Sequence, residues 1–358
     1  MKIYNFSAGP ACLPEPVLAA AAEASKQYMR TGMSLMEMSH RSTPVVELFE
    51  ETTERIKSLL AIPSNYHVLW LQGGASTQFS MVPLNLLPEG SSADYIETGA
   101  WSIKAIAECN KVGRANVIGS SKDVTFSFIP KECEQNTRSP YLHITSNNTI
   151  YGTQFKVFPK IENKDGVLVA DMSSDILSKP IDVTEFGLIY AGAQKNMGPA
   201  GVTLVIIRDD LVGKNYRVLP TMLNYETHVK KDSMFNTPPV FSVFVVNETL
   251  KWLEDLGGLE AMAVINERKA GKLYSEIERN PLFRSPVNAV DCSLMNVPFV
   301  FNKEGMDDGT FLQFCDKRGL NTLKGHRSVG GFRASIYNAM PEAGVDALIS
   351  AMQDYEIV

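Results

Sequence analysis

The apolar residues of this 358-residue chain fall into two alternating textures. His67–Leu71 (HVLWL), Tyr141–Thr145 (YLHIT), Val167–Ala170 (VLVA), Leu188–Tyr190 (LIY) and Val202–Ile207 (VTLVII) are short runs rich in β-branched and large apolar side chains. They lack the alternation of a half-solvated strand and read as strands buried on both faces, as in a mostly parallel sheet. Before and between them, apolar residues three and four apart predict helices over Val45–Leu60, roughly Thr77–Leu87, and Ser102–Lys111. Strands alternating with helices place the chain in the α/β class.

After Trp252 the pattern changes. Gly257-Gly258 interrupts the chain, and an amphipathic stretch follows over Leu259–Glu278. A strand over Ser293–Phe301, a helix over Gly309–Lys317, a strand over Arg333–Asn338 and a closing helix over Glu342–Tyr355 complete a smaller α+β unit. The boundary is expected near Gly258.

Composition narrows the function classes. A net charge of −6 with 21% charged residues gives no basic face for nucleic acid or a membrane surface. A local arginine cluster could still bind an anionic substrate. No apolar run reaches the roughly 18 residues of a membrane span. The opening MKIYNFSAGPACLPEP lacks the apolar stretch of a signal peptide. The five cysteines are scattered and form no CxxC, so reduced thiols in a cytoplasmic protein are expected, with no disulfide or metal site. Asn147-Asn148-Thr149 fits a glycosylation sequon but carries no meaning without secretion.

Five constellations bear chemistry. Most lysines are solvated surface charges, but Lys195 stands between two apolar strands among small, uncharged residues (Ala-Gly-Ala-Gln-Lys-Asn-Met-Gly-Pro). Burial there would favour the neutral, nucleophilic amine that Schiff-base chemistry needs. Asp171 ends an apolar strand, where ligands of open parallel sheets bind; a helix cap or turn is the plain alternative. Its functional reading is a carboxylate partner for a pyridinium nitrogen. Leu71-Gln-Gly-Gly-Ala75-Ser76-Thr77 runs a strand through a Gly-Gly turn into a helix, which is either a plain capped helix or an anion site. Trp101 follows a Gly-Ala turn, either as core or as a flat face for stacking on a ring. Finally, His40-Arg41, His326-Arg327 and Arg333 offer guanidinium forks for carboxylate or phosphate, unless they are ordinary surface groups.

Together with these, Asn5–Pro10 (NFSAGP), Gly32–Arg41 (GMSLMEMSHR), Gly-Gly-Ala-Ser76, Ala-Asp-Tyr95, Gly-Ala-Trp101, Ala-Gln-Lys195-Asn and Gly-His-Arg327 followed by Gly-Gly-Phe-Arg-Ala-Ser-Ile-Tyr-Asn-Ala-Met340 make the chain resemble the phosphoserine aminotransferases from end to end. These belong to the class V group of fold-type I enzymes that use pyridoxal 5'-phosphate (PLP). The resemblance implies a large PLP-binding domain over residues 14–258 with a mostly parallel, seven-stranded type of sheet. Residues 259–358, with the N-terminal segment 1–13, would form a smaller α+β domain closing the active site. Lys195 would carry the cofactor and shuttle a proton, Asp171 would pair with the pyridinium nitrogen, and Trp101 would stack on the ring. Ala75, Ser76, Thr149 and Gln194 would hold the cofactor, with Asn236 and Thr237 reaching its phosphate from a second subunit of a homodimer. Arg333 would bind the substrate α-carboxylate, and His40, Arg41, His326 and Arg327 the distal anion. The implied reaction is amino transfer from L-glutamate to 3-phosphohydroxypyruvate in serine biosynthesis, with 4-phosphohydroxythreonine in pyridoxine biosynthesis implied only by analogy. Two positions depart from some relatives: Ser76 stands where they have Arg, and Ala8 where they have Ser.

Other readings keep or change this frame. An alanine–glyoxylate aminotransferase or a cysteine desulfurase would share the fold, but a desulfurase needs a reactive cysteine on a mobile loop. Cys315 lies in a helical pattern and Cys292 just before a strand. A non-catalytic PLP-binding protein would be expected to lose the arginines, and an NAD-dependent dehydrogenase would be expected to carry GxGxxG.

Overall fold

Chain order explains the layers. A two-residue strand β1 (Tyr4–Asn5) leads to helices α1 (Glu15–Lys26) and α2 (Thr43–Leu59). Then come β2 (Tyr66–Leu71), α3 (Gly74–Leu86), β3 (Ser92–Glu97), α4 (Ala100–Cys109), β4 (Arg114–Ser120), β5 (Tyr141–Thr145), β6 (Val167–Asp171), β7 (Leu188–Gly192) and β8 (Thr203–Arg208). The seven strands β2–β8 form one sheet in the order β2-β8-β7-β6-β5-β3-β4. This computed structural model describes residues 2–214 and 216–357; residues 1, 215 and 358, which fall within the ranges drawn from sequence, lie outside the described residues.

The unbroken apolar runs have a direct cause. Along β6, Val167 and Val169 enter a core under α3 and α4, while Leu168 and Ala170 enter the core under α1, α2 and α6 (Val240–Asp255). β7 and β8 alternate in the same way, Leu188 and Tyr190 against Ile189 and Ala191, and Val205 and Ile207 against Leu204 and Ile206. Both faces are therefore apolar, and no polar alternation survives.

Strand direction departs from a uniformly parallel sheet at one place. β8 runs antiparallel to both β7 and β2, while the other pairs are parallel. Residues 193–202 between β7 and β8 are too few for a parallel crossover, which takes about a dozen or more. The edge strand β4 alternates irregularly and stays partly exposed, and β3 reads SADYIE, so neither left a continuous apolar signature.

Past α5 (Tyr225–Val229) and α6, the left-handed pair Gly257 (φ 104°) and Gly258 (φ 76°) turns the chain into α7 (Gly258–Arg279). Leu259 and Met262 of α7 join the core under α6, whereas Ala270, Leu273 and Ile277 join a separate aromatic-rich cluster. That cluster gathers β9 (Phe283–Arg284), β10 (Asn296–Phe301), α8 (Asp308–Asp316), β11 (Leu320–Asn321), β12 (Phe332–Ser335) and α9 (Glu342–Glu356). β9, β10 and β12 pair antiparallel, and β1 pairs with β11, which brings Phe6 into the same cluster.

Candidate functional site

The carboxyl ends of β2, β3, β5, β6 and β7 share one edge of the sheet. From β3 the chain steps outward to β4, and from β5 it steps the opposite way to β6 and β7. The loops diverge there and leave a crevice, the place where open α/β sheets bind ligands. It holds a cavity of about 160 Å³ lined by Gly74, Ala75, Ser76, Phe79, Trp101, Thr145, Asn147, Asp171, Ser173, Ser174, Gln194 and Lys195. A cavity of roughly 150 Å³ accepts a benzene ring, so this one takes a single substituted ring.

Lys195 sits on the tight β7–β8 turn, where the N–H groups of Lys195, Met197 and Gly198 all donate to the Ala193 carbonyl at 2.7, 3.2 and 2.9 Å. Only 9% of the residue is exposed, and its Nζ donates to Thr149 Oγ1 at 2.8 Å. Burial pushes its pKa down to about 8, with Asp171 and Asp175 pulling it up and Arg333 pushing it further down. The N-terminal segment passes over the lysine stem: a Cβ on Gly9 would lie 3.4 Å from Lys195 Cγ, and the Ala11 N–H donates to the Gln194 carbonyl at 2.9 Å.

Asp171, buried at the end of β6, accepts the Ser173 N–H at 2.9 Å. Ser173 Oγ in turn accepts the Gly192 N–H at 3.1 Å, which ties the two strand ends together. Burial raises the Asp171 pKa, while Ser173 and the Lys195 ammonium hold it back. The turn reading and the ligand reading of Asp171 are thus compatible, because one carboxylate oxygen closes the turn while the residue lines the cavity.

Trp101, half-buried in the first turn of α4, has its ring centre 5.7 Å from Lys195 Nζ. On the opposite rim, Gly73 (φ 90°) leads into α3, whose start has no side-chain cap. A Cβ on Gly73 would fall 1.9 Å from Thr77 Oγ1, so only glycine fits that turn. The uncapped N–H groups at Ala75 and Ser76 present an anion-binding helix end to the cavity. Two buried polar atoms here lack a partner within the chain, Thr145 Oγ1 and Trp101 Nε1. The donor set therefore suits a flat heteroaromatic ring bearing a phosphate. It provides a ring-sized space, a carboxylate, an amine, an indole and a helix N-terminus.

Arg333 comes from β12. Its Nη1 donates to the Thr149 carbonyl at 3.4 Å, and its buried Nε has no partner within the chain. Thr149 thus touches Lys195 through its hydroxyl and Arg333 through its carbonyl. His326 is half-buried in the turn ahead of β12, its pKa lowered by burial and by Arg333 and Arg327; Arg327 is exposed beside it.

Eight sequence candidates do not line the cavity itself: Thr149, His326, Arg327 and Arg333, described above, and Asn236, Thr237, His40 and Arg41. Exposed Asn236 and Thr237 sit by the Gly-Gly turn, where Gln72 Nε2 donates to the Thr237 carbonyl at 2.9 Å. His40 and Arg41 stand in the turn before α2, with His40 Nε2 buried and unpartnered and Arg41 exposed. Conversely, Thr145, Asn147, Ser173, Ser174 and Phe79 line the cavity and were not singled out from sequence. The signal was available for Ser173 and Ser174, which come two and three residues after the strand-end Asp171. The Asn147–Thr149 sequon lies wholly buried behind β5 and is no acceptor in the folded chain.

No cysteine lines the cavity. Burial drives the Cys315 thiol up to about 12 and raises that of Cys292, the reverse of a reactive thiolate. Among the described residues no helix is long and apolar enough to cross a membrane, and no group of three or more His, Cys, Asp or Glu is placed to hold a metal ion.

Comparison with known proteins bears on this geometry. The aminotransferase class-V family matches residues 3–348. A phosphoserine aminotransferase of Bacillus cereus is 51% identical over 358 residues, covering 99% of each chain. The solved phosphoserine aminotransferase from Bacillus circulans subsp. alkalophilus aligns with a TM-score of 0.96 and 46% identity over 99% of each chain. A PLP-bound phosphoserine aminotransferase from Trichomonas vaginalis aligns with a TM-score of 0.93 and 40% identity, over 98% of this chain and 100% of that one.

Proposed function

We infer the function from one premise: the chain belongs to the aminotransferase class-V family and, within it, to the phosphoserine aminotransferases. Its reaction is then the reversible, PLP-dependent transfer of an amino group from L-glutamate to 3-phosphohydroxypyruvate, giving 2-oxoglutarate and O-phospho-L-serine, a step of L-serine biosynthesis. The observation that carries this reading is Thr149, whose one residue links the buried amine of Lys195 to the guanidinium of Arg333.

When bound, PLP supplies an electron sink that stabilises negative charge at the substrate Cα. The chain's residues do the rest. Asp171 would pair its carboxylate with the ring nitrogen, and Trp101 would offer its indole face to the ring. Ala75 and Ser76 would offer backbone N–H groups to a phosphate, Gln194 lines the same cavity, and Thr149 joins the cradle through its contact with Lys195. Lys195, with a pKa near 8, would carry the proton from the donor's Cα to the cofactor carbon that takes up the amino group, and in the second half-reaction would deliver a proton to the acceptor's Cα. Arg333, with its Nε free, receives the α-carboxylate of either substrate. His40, Arg41, His326 and Arg327 receive the second anion, the γ-carboxylate of glutamate or the phosphate of the acceptor.

Asn236, Thr237, His40 and Arg41 lie off this chain's cavity, which fits a homodimer that completes each site with residues of a partner copy. The exposed apolar side chains of Met29, Met33, Met36, Met222 and Phe235, close in sequence to those four, support such a face. The segment 1–13 with residues 259–358 is read as the part that closes over the cavity, and the enzyme as cytoplasmic. Incubation with glutamate and 3-phosphohydroxypyruvate, with both products quantified by chromatography, tests the reaction. Formation of phosphoserine, selectively impaired in Arg327→Ala relative to an acceptor lacking the phosphate, supports it; no phosphoserine, with wild-type protein loaded with cofactor, rejects it.

A further inference from the structure

Lys269 is one of the largest fully buried side chains of the protein, at 0% exposure, yet no carboxylate forms an ion pair with it among the described residues. It lies on α7 at the junction of the two cores, between Met262, which enters one, and Ala270, which enters the other. Its ammonium instead donates to main-chain carbonyls of Ile336, Tyr337, Asn338 and Met340, at 3.1, 2.8, 3.5 and 3.1 Å. Asn266, one turn earlier on the same face of α7, donates to Asn338 Oδ1 at 2.9 Å and to the Ser178 carbonyl at 3.0 Å. Burying an ammonium without a counter-ion is unfavourable, so apolar packing would serve a purely structural junction better.

The segment that Lys269 grips leads to Lys195 by two routes. Through Asn338, whose N–H donates to Asn196 Oδ1 at 3.0 Å, it meets the neighbour of Lys195. Through Tyr337, whose hydroxyl donates to the Ala8 carbonyl at 2.8 Å, it holds the strand of chain that lies over the lysine stem at Gly9. The same segment directly continues β12, which carries Arg333. We propose that Lys269 is a positioning residue of the site, fixing through residues 336–340 the placement of Arg333 relative to Lys195. The proposal rests on the reading of Arg333 as the substrate-carboxylate ligand.

The test uses holoenzyme and glutarate, a dicarboxylate with no amino or keto group to react, titrated by calorimetry alongside steady-state kinetics with glutamate. Lys269→Met should weaken glutarate and raise KM for glutamate by about tenfold, the scale of one misplaced charge-assisted hydrogen bond. The absorbance of the bound cofactor should be unchanged and kcat little affected. Lys269→Gln, which keeps a donor, and Asn266→Ala should shift KM the same way by less. Arg268→Ala, next to Lys269 on α7, removes only a surface ion pair with Glu342 of α9 and should leave both constants at wild-type values. If Lys269→Met does not fold, Lys269→Gln and Asn266→Ala decide. Wild-type affinity for glutarate in all the Lys269 and Asn266 variants that fold overturns the positioning role. A wild-type protein that turns over glutamate without binding glutarate overturns the Arg333 reading and this inference with it, whereas absence of any turnover bears on the reaction itself.

Discussion

Replacing Asp175 by Asn removes a buried negative charge while leaving every hydrogen bond there satisfiable. Asp175 accepts from Ser146 Oγ and, at 3.1 Å, from Gln154 Nε2, and Ser146 also contacts the Asp171 carbonyl at 3.0 Å. In the variant, the Asn oxygen can accept from Gln154, its amide can donate to Ser146 Oγ, and the Ser146 proton can go to Asp171. Burial raises the Asp175 pKa from 3.8 to about 6, against opposing contributions from Ser146, Gln154 and Lys179. Because the folded value lies above the unfolded one, the folded state holds the proton more tightly. Stability is therefore lost as pH rises from about 4 through about 6. The difference of roughly two units corresponds to about 3 kcal/mol at pH 8, and to about half of that at pH 5. Asp175→Asn should accordingly melt higher than wild type at pH 8, with the gain shrinking toward pH 5. Thermal melts at the two pH values, taken on protein prepared identically, measure both quantities. Activity should fall in the same variant, because Asp175 helps hold the Lys195 pKa up and its loss alters the base. A melting temperature at pH 8 no higher than wild type, or a gain that does not change with pH, refutes the assignment of a buried, charge-costly carboxylate.

The remaining expectations concern the site directly. Arg333→Lys should raise KM for both glutamate and the keto acid by about tenfold or more, since an ammonium cannot reproduce the planar fork; an unchanged KM for glutamate contradicts the role. Gly73→Ala, forced to place a Cβ 1.9 Å from Thr77 Oγ1 at φ 90°, should loosen the helix start and raise the Kd for PLP, measured by equilibrium dialysis. Retained wild-type affinity removes that helix end from the cradle. Stripped of cofactor, the protein should reload at a rate that climbs with pH through about 8 and then levels, because the neutral amine of Lys195 is the reacting form. A rate still climbing toward 10 shows a lysine that is not desolvated.

How much of this was legible in the sequence follows from what each feature contributes to the pattern. β5, β6, β7 and β8 announced themselves because both faces of the sheet are covered, so nearly every position is buried and most are apolar. The antiparallel direction of β8 was not in that pattern, since a strand buried on both faces reads the same either way; only the short 193–202 connection fixes it. β4 is the partly exposed edge strand, and β3, though buried, carries Ser92, Asp94 and Glu97, so neither showed an unbroken apolar run. Lys195 stood out as a lone charge in apolar surroundings, and the structure explains why it tolerates burial, through Thr149. Thr145 carries no charge and breaks no periodicity, so nothing marked it until the strand ends came together. Lys269 was hidden for the opposite reason: in an amphipathic helix a lysine reads as solvent-facing, and its burial depends on four carbonyls some seventy residues further along the chain.

An absorbance spectrum of the purified, PLP-loaded protein, recorded before and after L-glutamate is added without any keto acid, tests the central claim most directly. The account predicts a visible band that disappears as the amino group moves to the cofactor and 2-oxoglutarate is released, and no such band or conversion in Lys195→Ala. A band that glutamate leaves untouched, or one that persists and still converts when Lys195 is gone, would contradict it.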